Sequence, residues 1–425
     1  MLTQEENELL CRVEGDAPMG RLMRRHWIPV CMSEEVAEPD GTPVRLRILG
    51  EELVAFRDTE GRLGVLDGYC PHRHALLALG RNEECGLRCL YHGWKIDVTG
   101  AVTEMASEPP ESALKEKVKH RSYPVRESGG FVWTYLGDEK DMPEFDPPPF
   151  AQSEDDQVSI LKIAIPCNWA QIQEGQIDSA HSSSLHFSDM KPAKVSAAEA
   201  DDQSWYRPST DKSPRLQIER TPYGFHYAAI RRPIKNAASH DYIRVTEYVA
   251  PFISLIPPNN LYNVASVIVP MDDTHSYFYF IAWGNPETCI KTDDWRRFCA
   301  AEPGVDLNPD WSPVRCLENN FMQDRALMKD GNMTGIKGIP NQDIAMWVGM
   351  GPIVDRSKDI LGASDLAIVE FRRLMVDAAQ DMAETGKALG IGGDVPPRAS
   401  IHSYQEVLPK SVDWRTKVAG SVAAE

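Results

Sequence analysis

CPHRHALLALGRNEECGLRCLYHGW, residues 70–94, holds three cysteines and three histidines in twenty-five positions. Four of them form two short pairs, Cys70-x-His72 and Cys89-x-x-His92, separated by sixteen residues. His74 lies past the ligand position of its pair and Cys85 precedes the second, so both read as bystanders. Zinc sites usually pair Cys with Cys and His with His. Here each pair supplies one of each. That mixture suits a [2Fe–2S] centre in which two thiolates hold one iron and two imidazoles the other, with a structural zinc as the alternative. Pro71 stiffens the first loop, and Gly93 lets backbone approach the bound group closely.

Around this stretch the chain is too long for one typical core, at 425 residues. Its 42% hydrophobic and 25% charged residues are those of a soluble globular protein. No apolar run reaches the length of a membrane span. The opening MLTQEENELLCRVEGD is acidic and helix-like, without the basic end and apolar core of a signal peptide. Nine scattered cysteines, an odd number, argue for reduced thiols and metal ligation. The net charge of −18 argues against nucleic acid and suits docking to a basic partner. These features predict a cytoplasmic protein with no membrane and no nucleic-acid partner.

The organisation predicts two units. Residues 1–145 read as a small β-rich domain with an N-terminal helix over the first 25 residues. VRLRILGEELVAFRD breaks at Gly50 like a hairpin, and FVWTYLG closes the unit before the Pro-rich connector DEKDMPEFDPPPF. Residues 146–425 read as a larger α+β domain. Its β-type stretches, such as GFHYAAIRRP and DYIRVTEYVAPFISLIPP, predict an antiparallel sheet flanked by helices. DLAIVEFRRLMVDAAQDMAETGKALG predicts a helix with Gly390 as its stop.

The second domain opens on CNWAQIQEGQIDSAHSSSLHF, which contains Asp178-x-x-His181-x4-His186. Two histidines and a carboxylate on adjacent turns are the core of a facial triad for non-haem Fe(II). Asp178 and His181, three apart, would share a helical face. His181 and His186 would not, because five steps turn ~500° at 3.6 residues per turn. The helix must therefore break near the serine run. Cys167, just before this string, reads equally as a core thiol or a cavity wall.

CPHR-x-A and CLYHGW-x-x-D-x-x-G resemble the two loops of Rieske domains. N-W-x-Q-x-x-E-G-x-x-D, from Asn168, followed by the two histidines, resembles the iron motif of the Rieske non-haem iron oxygenases. The opening MLTQEENELLCRVEGDAPMGRLMRRHWIPV resembles the phthalate dioxygenase branch of that family. The family commonly has glycine where His74 stands. The resemblance implies an N-terminal all-β Rieske [2Fe–2S] domain and a C-terminal α+β catalytic domain. It implies a cluster held by Cys70, His72, Cys89 and His92, and a mononuclear Fe(II) held by His181, His186 and Asp343. Asp324, Asp355 and Asp359 are rivals to Asp343. Asp178 is then the catalytic bridge between a Rieske histidine and an iron histidine across a subunit interface. A carboxylate between two imidazoles would orient both rings.

The implied activity is cis-dihydroxylation of an aromatic dicarboxylate such as phthalate, using O2 and NADH through a flavin and iron–sulfur reductase. The assembly implied is a homotrimer or a stack of trimers. A carboxylated diaryl ether dioxygenase and an aryl O-demethylase are alternatives on the same scaffold. From a different class comes a Rieske electron carrier without catalytic iron. Arginine is the residue for bidentate carboxylate binding. Arg207, Arg220, Arg231, Arg232 and Arg244 are candidates, with Arg244 first for its apolar strand and Arg207 second beside Trp205 and Tyr206. Ser179 is a candidate for a substrate hydrogen bond.

Overall fold

The structure, a computed structural model, describes residues 1–154, 157–192 and 205–421. The chain start forms two helices where one was expected. Thr3 caps Gln4–Cys11 through a full capping box with Glu6. Gly15, at φ +58°, then turns the chain, and Pro18 opens a second helix, Pro18–Arg24.

In the first unit, Trp27–Met32 pairs antiparallel with Phe131–Tyr135, which pairs with Val125–Ser128. Val44–Ile48 and Glu51–Arg57 form the hairpin expected at Gly50, with Leu49 and Gly50 both at positive φ, as a tight hairpin turn requires. A separate four-stranded sheet joins Arg81–Glu83, Gly86–Arg88, Trp94–Ile96 and Val102–Met105. Its own core of Phe56, Leu66, Leu77, Leu87 and Ile96 encloses Cys70 and Cys89.

The second unit is built on an eight-stranded sheet. Its order runs Val158–Ile165, Ser276–Trp283, Asn263–Pro270, Ile253–Ile256, His240–Val249, Gly224–Arg231, Arg215–Thr221, with Tyr404–Pro409 paired onto His240–Val249. All of these neighbours are antiparallel. Gly224–Arg231 and Ser276–Trp283 are buried along their whole length, so they read as unbroken β-type runs rather than alternations. The three-stranded sheet of the first unit shares a core with this one, Phe131 meeting Tyr279 edge to face at 5.2 Å. Helix Leu366–Thr385 ends at Gly386 and not at Gly390, because Gly386 already takes the left-handed conformation and bonds back to Met382 O. Among the described residues, no helix is long and apolar enough to cross a membrane.

Two helices position the site. Trp169–Gln176, capped by the Asn168 side chain, lies on Asn263–Pro270 and Ile253–Ile256. Ile339–Gly349 packs against it. The contact is closest at Gly175, where a Cβ would stand 2.3 Å from Trp347 Nε1. Gly175→Ala must therefore push the helices apart. We expect it to cost about 1–3 kcal/mol in denaturant unfolding and to lower retained iron. Wild-type stability and iron content together would refute this account of the contact.

Candidate metal centres and the adjoining cavity

After Gln176 the chain leaves the helix, so Asp178 and His181 share a turn and not the helical face expected of them. Asp178 Oδ1 accepts from the backbone N–H groups of Ala180 and His181, which holds that turn. A single 3-10 turn, His181–Ser183, follows. This is the break the five-residue spacing demanded.

It brings His181 Nε2 within 3.1 Å of His186 Nε2. Asp343 Oδ1, from helix Ile339–Gly349, lies 3.5 Å from the first and 3.2 Å from the second. Ligands on one face of an octahedral ion with bonds of ~2.1 Å stand ~3 Å apart, so this triangle fits a facial triad. Among the described residues these three form the only group of His, Cys, Asp or Glu side chains converged closely enough for a metal by donor-atom distance.

The two rings are supported differently. His186 Nδ1 lies 2.8 Å from Gln342 Oε1, within hydrogen-bond distance. His181 Nδ1 is buried without a hydrogen bond, and the nearest carboxylate oxygen, Asp178 Oδ2, is 3.8 Å away. Burial pulls the His181 pKa below its ordinary value despite Asp343, which favours the neutral ring a metal needs. For His186, Asp343 and Gln342 outweigh burial and raise it. The rival carboxylates are engaged elsewhere: Asp324 and Asp355 cap turns, and Asp359 pairs with Arg372.

The cluster loops match each other turn for turn. His74 N–H bonds to Cys70 O and Gly93 N–H to Cys89 O; Cys70 N–H bonds to Ala75 O and Cys89 N–H to Trp94 O. His74 and Gly93 hold the same place, and both have positive φ, +54° and +71°. Glycine suits that conformation best. That is the physical meaning of the departure at His74. Between the loops, burial and the neighbouring Cys89 thiol raise the Cys70 pKa to about 11, against backbone donors from His72 and Arg73. His72 Nδ1 is buried and unpartnered, with its ring stacked on Trp94 at 4.6 Å and 4.4 Å from that of His92. Two facing thiols and an orphaned imidazole nitrogen fit a metal–sulfur group.

A cavity of about 70 Å³ adjoins the triad. Asp178, Ser179, His181, His186 and Asp343 form one side, and Trp205, Arg207, Tyr227, Arg244 and Phe280 are among the rest. Tyr206 and Cys167 are not part of the lining; Cys167 is a fully buried core thiol. The strand register places Tyr227 opposite Thr246, Ala229 opposite Arg244, and Arg231 opposite Tyr242, so Arg231 shares the face that carries Arg244. Arg207, Arg231 and Arg244 are 6%, 1% and 4% exposed. Arg244 donates to Asn259 Oδ1 at 2.6 Å and Pro257 O at 2.7 Å, Arg207 to the hydroxyls of Ser182 and Ser183, and Arg231 to Ser179 O at 2.6 Å. Among the described residues every hydrogen-bond acceptor of these three guanidiniums is neutral, and Arg207 Nε with Arg231 Nε and Nη1 have no partner there. Burial, with Arg244 close by, pushes Arg207 down to about 9 and Arg231 to about 10, so both stay charged at neutral pH. Arg220 instead pairs with Glu370, and Arg232 is exposed. A larger cleft of about 1190 Å³, between Val44, Arg47, Tyr277, Trp311, Ile344 and Val348, lies away from these donors.

The Rieske [2Fe-2S] domain family matches residues 26–124, and the LigXa C-terminal domain like family matches residues 134–425. The phthalate 4,5-dioxygenase oxygenase subunit of Pseudomonas putida is 62% identical over 98% of this chain and 94% of its own length. The 3-chlorobenzoate-3,4-dioxygenase oxygenase subunit of Comamonas testosteroni is 36% identical over 98% of each. The 5,5'-dehydrodivanillate O-demethylase oxygenase subunit of a Sphingobium species is 31% identical over 100% of this chain and 90% of its own. The terminal oxygenase of carbazole 1,9a-dioxygenase from Nocardioides aromaticivorans IC177 shares the fold, with a TM-score of 0.55 at 17% identity over 88% of this chain and 97% of that one.

Removing one ligand separates the two centres. We expect His186→Ala or Asp343→Ala to lower iron from three to two per chain and leave sulfide and the Rieske EPR signal unchanged. A third iron retained by both variants would overturn the assignment of these ligands.

Proposed function

The chain belongs to the Rieske non-haem iron oxygenases, in the phthalate 4,5-dioxygenase branch, and from that premise we propose that it adds both atoms of O2 to an aromatic dicarboxylate such as phthalate. The product of this reading is a cis-dihydrodiol, and a separate reductase supplies the electrons from NADH. As a member of that family it is an oxidoreductase that carries a Rieske [2Fe–2S] cluster and a mononuclear iron.

We assign the cluster to Cys70, His72, Cys89 and His92, and the iron to His181, His186 and Asp343. When bound, the cluster supplies single electrons and the iron supplies the means to activate O2. The protein's own residues do the rest. Asp178 spends Oδ1 on its own turn and turns Oδ2 toward His181 Nδ1. We take it as the hydrogen-bonded link to a Rieske histidine of a neighbouring subunit, in a trimer or stacked trimers. Trp205, Tyr227 and Phe280 give the cavity aromatic walls that exclude water and hold a flat ring.

The three buried guanidiniums without a described carboxylate carry the choice of substrate. A lowered arginine pKa means the folded protein disfavours the charged form, and an anion beside it removes that cost. A dicarboxylate brings two charges to this site. Arg207 and Arg244, both in the cavity wall, are the assigned carboxylate binders, and the Ser179 hydroxyl, 3.1 Å from Tyr227 Oη, is the assigned neutral contact.

Turnover with reductase, NADH and phthalate under ¹⁸O2 tests the reading. Two labelled oxygens in a cis-diol are expected. One labelled oxygen, or formaldehyde from methoxybenzoates with phthalate untouched, would replace it by the demethylase reading. Arg244→Ala should raise KM for phthalate about 10- to 100-fold, the worth of a charge-assisted contact of ~1.5–3 kcal/mol. KM for benzoate should move much less. Equal effects on both would sink the role of Arg244.

A further inference from the structure

We propose that Gln342 is the positioning residue of the mononuclear metal site, and that its carboxamide sets the tautomer and ring plane of His186. The inference rests on His181, His186 and Asp343 being the metal's ligands and is independent of the substrate.

The amide can point only one way. Gln342 Nε2 lies 2.8 Å from Asp189 Oδ2 and 3.0 Å from Ile336 O. A carboxylate and a carbonyl only accept, so the group facing them must be the NH2. Rotating the amide would set an oxygen against both, so the hydrogen-bond network fixes its orientation. Oε1 then faces His186 Nδ1 at 2.8 Å, and only an N–H can stand there. His186 must carry its proton on Nδ1 and offer the Nε2 lone pair to the space shared with His181 and Asp343.

Water cannot take over this task. Gln342 is 1% exposed and His186 2%, and the chain from Asp189 to the ring is closed by protein groups. Gln342 also precedes Asp343 on the same helix, Ile339–Gly349. One element therefore delivers the carboxylate ligand and the clamp on a histidine ligand, so their relative positions do not depend on a loop. Among the described residues His181 has no such clamp, since its Nδ1 is unpartnered there. The pair is asymmetric, one ring fixed from within and the other left to Asp178.

Cobalt titration tests this on the full chain, with the Rieske cluster intact and the mononuclear metal removed. Gln342→Met keeps the bulk and replaces the amide oxygen with at most a weak thioether acceptor. Co(II), added anaerobically and followed through its visible ligand-field bands, should bind about 10- to 100-fold more weakly, with altered bands. The double variant Gln342→Glu with Asp189→Asn restores an acceptor for His186 and supplies a donor to the other carboxylate oxygen, while the contact with Ile336 O is lost. It should bind Co(II) several-fold more tightly than the Met variant, recovering part of the loss, and a purely packing role predicts no such rescue. Should the Met variant not fold, Gln342→Asn, which withdraws the acceptor by one methylene, should show the same loss. Wild-type affinity in the Met or Asn variant, or equal loss in single and double variants, overturns the proposal. His186→Ala is the control: unchanged Co(II) binding there would instead overturn the ligand assignment.

Discussion

The catalytic half depends on the seat of one buried helix, Trp169–Gln176, and that seat is polar. Glu174 accepts from Arg356 Nε at 2.7 Å and Arg372 Nε at 2.8 Å. Burial pushes its carboxyl up, but the two guanidiniums bring it below its ordinary value, so it stays ionised. Arg356 continues to Asn7 and Cys11 in the first helix, and Arg372 belongs to Leu366–Thr385. Breaking such a network by removing one charge typically costs ~3–5 kcal/mol, because the others stay buried. Asn168 adds bonds to Cys11 O and Asp273 O, and Gln171 to Trp347 O, Gly351 O and Val354 N–H. A helix tied on so many sides has one position. Asp178, His181 and His186 are delivered from its end.

This explains why the string beginning at Asn168 was readable at all. Asn168, Gln171, Glu174 and Gly175 do not touch a metal; each satisfies a buried backbone group, a buried cation or a close helix crossing. Their residue types are dictated by contacts that a short string cannot display, but their spacing can be matched as a pattern. The cluster ligands were legible more directly, since Cys-x-His and Cys-x-x-His on separate loops suit few groups. Asp343 came from resemblance alone, because nothing in NQDIAMW marks that carboxylate over its rivals until the fold engages those elsewhere.

What stayed hidden was set by tertiary contact. Gln342 is an ordinary helix residue until Asp189 and His186 arrive on either side of it. Arg231 was one of five arginines until the pairing of Gly224–Arg231 with His240–Val249 put it on the face of Arg244. Local rules failed in small ways too. Gly15 and Pro18 divide the first helix, and Gly386 stops the last long one ahead of Gly390. Helical spacing suggested that Asp178 and His181 share a face, whereas a turn held by Asp178 itself brings them together.

The buried arginines fall into two kinds, those matched by carboxylates and those that are not. Arg356 and Arg372 are matched by Glu174 and Asp359. Arg207, Arg231 and Arg244 are as deeply buried yet answered among the described residues only by hydroxyls, amides, carbonyls and a thioether. None of the three makes an ion pair with a carboxylate among the described residues, whereas Arg356 and Arg372 each do. The chain's net charge of −18 does not undo their pull on an anion. Salt screens exposed charges beyond ~8 Å, whereas buried guanidiniums act through a medium that screens far less. A dianion arriving at this surface would meet a global repulsion that salt weakens and a local attraction that burial strengthens. On the proposed reading, selectivity for charge number would reside in the cavity wall, and the acidic exterior would be left to solubility and to contact with a basic electron donor.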